Sequence, residues 1–398
     1  MVPNETLEVP TGNKPWTGRG DVGANQSTGI IRFSHRYARS AGIPASRMRD
    51  FAGRLRNASA TPLATPMVNA TDKFIIGVDL GGTNIVVGAM SANGSRQYAM
   101  HSTPTPPRSE GSSGRVVERM IEMLEATIAE TLAETGAKRS DILGVGIGAP
   151  GPLDRKNGIV VIAPNLGWHN LPLRDLISDA VQLPCTLDND ANCATYGEWW
   201  IGAARGARNV VGITIGTGIG GGLIFNGQLY HGSSDVAGEI GHMTIDQTGR
   251  RCQCGNYGCL EAYASGPNIA ERAREALRAG DASALPSMVG GDVERITAAT
   301  VYEAAQAGDP VARDVVRDTA RFLGTGLANL LNVFNPDVVV VAGGVTQAGD
   351  ALFEPLRNEV RRRAFKPAVA ACRIVPGELP GTAGVIGAVG TFRSQMIP

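Results

Sequence analysis

The sequence predicts an α/β fold with more than one lobe, and three observations carry that prediction. Short continuous apolar runs stop at glycines, as fully buried strands do. Longer segments between them repeat apolar residues at helical spacing. One design of strand, glycine turn with a threonine, and strand occurs twice, at DLGGTNIVVGAM (79–90) and TIGTGIGGGLIF (214–225).

The elements follow in order. Residues 1–70 are rich in Gly, Pro, Ser, Asn and Arg, and they carry nine Lys or Arg against Glu5, Glu8, Asp21 and Asp50. Such a segment cannot bury a core and is expected to be a disordered basic extension. Met67 reads as a natural start, which makes the first 66 residues an expected upstream extension from start-codon choice. Within it, Ala38, Gly42, Ile43, Met48 and Phe51 loosely fit a helix-turn-helix over 34–53. No wing strands follow it, and ATPLATP reads as a linker.

Order begins at Lys73, where FIIGVDL is a buried strand that breaks at Gly81-Gly82. From Arg115 to Glu134, Val116, Val117, Met120, Ile121, Leu124, Ile128 and Leu132 mark a core-facing helix. ILGVGIGAPGPLD is a strand running into a Gly/Pro loop, and LPCTLDNDANCATYGEWW is a short strand with a helix starting near Asn189. VVGITI is a strand ending at Gly216-Thr217-Gly218, with LIFNGQLY as its returning partner. Helical patterns fill much of 268–332, and DVVVVAGG (337–344) is a last strand entering a Gly-Gly turn. No fixed repeat period appears, which excludes solenoids and propellers.

The chain has 398 residues and a formal charge of +0, so no global basic field draws it to nucleic acid or membrane. No apolar run reaches the roughly 20 residues that span a bilayer, and the N-terminus lacks a secretory core. Cys185, Cys193 and Cys372 stand singly. Together these features predict a reduced, cytoplasmic, soluble protein.

The run GEIGHMTIDQTGRRCQCGNYGCLEAY (238–263) places His242, Cys252, Cys254 and Cys259 at a spacing that supplies one imidazole and three thiols. That is the ligand set of a closed tetrahedral zinc site, with Gly255 and Gly258 allowing the turns. Cys252 and Cys254 are too close to pair comfortably as a disulfide. Glu239 and Glu261 are not needed as ligands, so two carboxylates are left beside a structural metal that shapes a polar pocket.

In the two glycine stretches, backbone N–H groups and a threonine hydroxyl can hold phosphates. Gly216, Gly218 and Gly221 also satisfy G-x-G-x-x-G. A dinucleotide fold would need a helix next, however, and LIFNGQLY has strand character with Asn226-Gly227 as a hairpin turn. No Gly-Lys-Ser/Thr follows either loop, which excludes a Walker site. Asp188, Asn189, Asp190 and Asn192 crowd one strand-to-helix junction, where a single residue suffices for a cap. The surplus marks a site at a helix N-terminus, with a carboxylate able to accept a proton from a hydroxyl that attacks phosphorus.

The segments DLGGTN, GIGAPGPLD, NLGW, DNDANCATYGE, GTGIGGG, AGEIGH and CQCGNYGCLEAYASG, in this order, resemble the ROK family of repressors, open reading frames and sugar kinases. The likeness runs from about Lys73 to Arg393 and is nearest to the family's bacterial ATP-dependent glucokinases. It implies a two-domain actin-like (ribonuclease H-like) sugar kinase fold, with a small domain at 73–187, a large one at 188–380, and a C-terminal helix at 381–395 packing back on the small domain. By the same resemblance Asp190 is the base for the sugar 6-hydroxyl. Asn165, Asn189, Glu239, His242 and Glu261 hold the other hydroxyls, with help from the Gly151 loop. Gly81, Gly82, Thr83 and Asn84, with Gly216, Thr217 and Gly218, line the phosphates. Asp79 orients Mg²⁺ through water, and Gly343 and Gly344 face adenosine. His242 binds zinc through one nitrogen and a sugar hydroxyl through the other. The partners implied are glucose and ATP, without nucleic acid or membrane, in a homodimer or homotetramer. The competing expectations are another hexose or N-acetylhexosamine kinase of the family, a sugar-responsive repressor, and a polyphosphate donor, for which no added basic motif is present.

Overall fold

The computed structural model describes residues 73–107 and 112–397; the basic extension and the 34–53 match lie outside the described residues. Two five-stranded sheets with one topology make up the frame. The first is built from β1 (Phe74–Leu80), β2 (Asn84–Ser91), β3 (Gln97–Pro104), β4 (Ile142–Ala149) and β8 (Cys185–Asn189), in the order β3-β2-β1-β4-β8. The second is built from β9 (Val210–Ile215), β10 (Ile219–Phe225), β11 (Gln228–Leu229), β12 (Val338–Ala342) and β13 (Arg373–Pro376), in the order β11-β10-β9-β12-β13. In each, the first three strands form an antiparallel meander and the last two add in parallel. The repeated glycine stretches are therefore the same hairpin at equivalent places in a duplicated sheet.

The parallel pairings demand crossovers, and helices supply them. Helix α1 (Ser112–Thr135) carries Val116, Met120, Leu124 and Ile128 onto the first sheet, where Phe74, Ile76, Val78 and Ile147 complete a core. Between β4 and α2 (Leu173–Val181) lies a small three-stranded sheet of β5 (Leu153–Asp154), β6 (Ile159–Ala163) and β7 (Trp168–Leu171). Helix α3 (Asp190–Trp200) leaves β8 directly. In the second lobe α4 (Glu261–Ala264), α5 (Gly266–Arg278), α6 (Ala298–Gln306), α7 (Pro310–Phe334) and α8 (Asp350–Arg363) cover the sheet around Val211, Ile213, Leu323, Leu327 and Val339. The last helix, α9 (Ala383–Met396), packs against α3 and lies on β1 and β4. Contact there is at backbone range, since a methyl on Gly387 would stand 1.5 Å from the Cys193 carbonyl oxygen.

Two features differ from the sequence reading. DVVVVAGG is not the last strand, because Arg373–Pro376 adds in parallel beyond it. The return strand begins at Ile219, ahead of LIFNGQLY, because Gly220, Gly221 and Gly222 pair in register with Thr214, Ile213 and Gly212 before the expected turn at Asn226-Gly227.

Candidate active site

Sheet register brings the motifs to one end of the frame. Asp79 on β1 stands level with Gly148 on β4, and Gly148 is level with Asp188 on β8. On the second sheet Thr214 is level with Ala342, so Gly216 and Gly343 both follow at the carboxyl ends of their strands. Open α/β sheets bind ligands at such ends.

The crowded junction resolves into separate jobs. The Asn189 side-chain oxygen caps α3, accepting from the N–H groups of Ala191 (2.9 Å) and Asn192 (3.1 Å). Asp188 is buried and accepts from the Asn189 N–H at 2.9 Å and from Asn192 Nδ2 at 3.2 Å. It also pairs with Arg155 and His231. The Asp190 Oδ1 accepts from the Ala191 N–H at 2.8 Å. Burial pushes its carboxyl up to about 6, and the nearby Glu239 carboxylate adds to the shift against the Ala191 N–H. Asp79 is pushed up to about 7 by burial and by the charge of Asp190. A base poised near neutrality is what proton transfer from a hydroxyl requires.

The two glycine turns face each other across the lobes. Thr83 and Thr217, 134 positions apart, bring their hydroxyls to 3.4 Å. Thr105 donates to the Gly81 carbonyl at 2.8 Å, and the Gly266 N–H donates to the Gly216 carbonyl at 2.9 Å, which braces both turns. Asn84 opens β2 behind the first turn. A methyl on Gly82 would stand 3.9 Å from Asn165 Nδ2, so the Asn165 loop reaches the same place. Behind the second turn lies a cavity of about 660 Å³, lined by Gly216, Thr217, Gly344, Arg274, Tyr302 and Glu303 among others.

The His/Cys run closes the other side. One ligand atom from each of His242, Cys252, Cys254 and Cys259 lies within 4.8 Å of all the others. Cys254 and Cys259 place their sulfurs 3.7 Å apart, and Cys252 Sγ is 3.8 Å from His242 Nδ1. A tetrahedron with Zn–S bonds of about 2.3 Å has edges of about 3.8 Å, so these residues fit zinc, and a disulfide would need about 2.05 Å. Gly258, at φ +73°, permits the turn, and a side chain there would strike the Asp246 carbonyl. With Nδ1 turned to the thiols, His242 keeps Nε2 for a second partner. Glu261 joins the cluster to the second glycine turn, since its Oε2 accepts from the Ile219 N–H at 2.8 Å and its Oε1 lies 3.9 Å from Cys252 Sγ. Glu239 sits in the turn leading to His242; burial and the charge of Glu261 raise its carboxyl, with His242 opposing.

Asp79, Asp190, Glu239, His242, Glu261 and the two turns thus form one continuous constellation. Gly151, at φ +90°, packs on the Ile162 carbonyl, and Gly343 packs on the backbone of Ile215, so each bends a loop that presents its neighbours. Arg155, His231 and Asp235 around Asp188, and Arg274, Tyr302 and Glu303 in the cavity, escape sequence reasoning. Each is a single residue without a motif.

Residues 75–394 match the sequence model of the ROK family. The chain belongs to the ROK family. Among its relatives, the glucokinase of Halalkalibacterium halodurans is 36% identical over 321 residues, covering 80% of this chain and 94% of that protein. The ROK glucokinase of Streptomyces griseus, solved in complex with glucose and AMPPNP, is 36% identical with a TM-score of 0.68, covering 81% of this chain and 99% of that one. The xylose repressor of Caldicellulosiruptor bescii is 31% identical over 330 residues, 83% of this chain and 80% of that protein. The fold is therefore the ROK sugar kinase fold expected from the sequence, with a His/Cys cluster in its second lobe. Among the described residues no helix is long and apolar enough to cross a membrane.

Proposed function

We propose that the chain is a glucokinase, transferring the terminal phosphoryl group of ATP to the 6-hydroxyl of glucose. The observation that carries this reading is the meeting of the two glycine turns, with Thr83 and Thr217 hydroxyls 3.4 Å apart, in a constellation whose poised carboxylate is Asp190. The likeness to glucokinases over 80% of the chain supports it.

In this reading the N–H groups of Gly82 and Gly218 and the two threonines hold the phosphates, while the Gly81 and Gly216 N–H groups close the turns on the Asn84 and Gly218 carbonyls, and the cavity behind Gly344 holds the nucleoside. Asp79 holds the water shell of Mg²⁺, which supplies charge neutralisation when bound. Asn165, Asn189, Glu239, His242 and Glu261 orient the sugar, and Asp190 accepts the 6-hydroxyl proton. Positioning and charge neutralisation dominate phosphoryl transfer, so one base beside a rigid sugar wall is sufficient machinery. Zinc held by His242, Cys252, Cys254 and Cys259 would fix that wall and leave His242 Nε2 for a hydroxyl. The small domain is placed at 73–187, with 381–395 returning to it, and the large one at 188–380.

A coupled ADP-release assay across glucose, fructose, mannose, N-acetylglucosamine and N-acetylmannosamine tests the reading. Glucose is expected to give the highest kcat/KM, and a higher value for an N-acetylated sugar would move the assignment to that kinase. The likeness to xylose repressors favours a second reading, a sugar-responsive repressor. Retarded DNA migration by the full chain, lost on removing residues 1–66, together with no turnover of any sugar, would establish it.

A further inference from the structure

Four polar side chains from different parts of the chain, Arg155, Asp188, His231 and Asp235, meet beside the helix that carries Asp190. Arg155, in the turn between β5 and β6, places Nη2 3.1 Å from Asp188 Oδ2 and Nη1 3.6 Å from Asp235 Oδ1. Its backbone N–H donates to Asp235 Oδ2 at 3.2 Å. His231 Nε2 lies 3.0 Å from Asp188 Oδ2. Arg155 lies between β5 and β6 and Asp188 ends β8 of the first sheet, whereas His231 and Asp235 lie in the segment that leads from β11 of the second sheet to Glu239.

The Asp188 carboxylate is 1% exposed, accepts from the Asn189 N–H and Asn192 Nδ2, and lies 3.1 Å from Arg155 Nη2 and 3.0 Å from His231 Nε2, so neighbours engage both of its oxygens. The end of β8 needs none of the distant partners, since pairing with β4 and the Asn189 cap already fix it. Arg155 and His231 must therefore serve something beyond the local fold. The second lobe's segment has more need of them. Asp235 sits at φ +58°, a conformation that persists only when its surroundings hold it, and Arg155 grips it by side chain and backbone. A bond from the Ala237 N–H to the His231 carbonyl, 3.0 Å, closes the segment two residues before Glu239.

We infer that Arg155, Asp188, His231 and Asp235 form a latch between the lobes and act as positioning residues, holding the segment 231–239, and with it Glu239, against the Asn189–Asp190 junction. This rests on the reading that Glu239 and Asp190 face the sugar. The latch lies on the sugar side and not at the glycine turns, so its loss should tell on the sugar and spare the nucleotide.

The test uses the full chain and the variants Arg155→Met, Arg155→Lys and Asp235→Asn in two measurements. Amide hydrogen exchange without substrate is expected to quicken at least about tenfold in segment 231–238 of the Met and Asn variants, with β9 and β10 unchanged. Steady-state kinetics is expected to show the glucose KM rising about tenfold and the ATP KM moving less than about twofold, with the Lys variant recovering part of the loss. Unchanged exchange overturns the latch, and faster exchange with an unchanged glucose KM overturns the positioning role. An equal rise in both KM values does the same. Should Arg155→Met not fold, Asp235→Asn, at a partly exposed residue, carries the same test. A wild-type chain that phosphorylates no sugar would sink the proposed function, while the exchange measurement would still decide the latch.

Discussion

Replacing Asp190 with Asn should cost activity and raise stability, and the two effects have one cause. The carboxylate accepts from the Ala191 N–H, and burial with the Glu239 charge pushes it from 3.8 up to about 6. As a general base it is worth about 10²- to 10⁴-fold in kcat, so the Asn variant should lose that much while still binding glucose. In the free protein the raised value means that the folded state holds this proton more tightly than the unfolded chain. The stability the group contributes is complete below pH 4 and is lost as pH rises through 6. A shift of about two units corresponds to about 3 kcal/mol at pH 8, and about half of that is already lost at pH 5. Asn does not titrate. The variant should therefore be more stable than wild type at pH 8, and the gap should widen by about 1.5 kcal/mol between pH 5 and pH 8, or about 2 °C in Tm. Relief of Asp79, which the Asp190 charge raises, acts in the same direction. Thermal unfolding at the two pH values, with kcat on the same preparations, makes the measurement. A near-normal kcat would remove Asp190 from the base role, and a Tm gap independent of pH would show that its carboxylate is not desolvated.

Cys254→Ser should lose bound metal, measured by elemental analysis, and raise the glucose KM before the ATP KM; metal-free protein with an unchanged glucose KM would break the link between cluster and sugar wall. Gly218→Ala would set a methyl 2.5 Å from Glu261 Oε2, whereas one on Gly216 meets nothing within 4 Å. The first change should therefore cut kcat/KM for both substrates by more than about tenfold, and the second should cut it far less. Gly387→Ala forces a methyl onto the Cys193 carbonyl between α9 and α3 and should destabilise the protein by about 2–3 kcal/mol, read by denaturant titration. In wild type, kcat/KM for glucose should fall as pH drops below about 6, where Asp190 of the free protein takes up its proton.

Much of this fold is legible in the sequence because its central strands are buried on both faces and so appear as unbroken apolar runs ending at glycines. FIIGVDL and DVVVVAGG are of that kind. RIVP at 373–376 is not, being a four-residue edge strand, half-exposed, with too little pattern to distinguish it from a loop. β5, β6 and β7 escape for the same reason. The site divides likewise. Residues whose chemistry needs neighbours in sequence, such as the glycine turns, the Asp188–Asn192 junction and the His242–Cys259 run, are read from spacing alone. Arg155 and Asp235 are 80 positions apart, and each looks like an ordinary loop charge until the fold sets them together.

The central claim is phosphoryl transfer to the 6-hydroxyl, and the most direct test is ADP release by the full chain with ATP and Mg²⁺, comparing glucose with 6-deoxyglucose. Glucose should release ADP in step with glucose 6-phosphate, and 6-deoxyglucose should bind in competition with it and release none above background. Equal ADP release with both sugars, or none with glucose or any other hexose, would contradict the account.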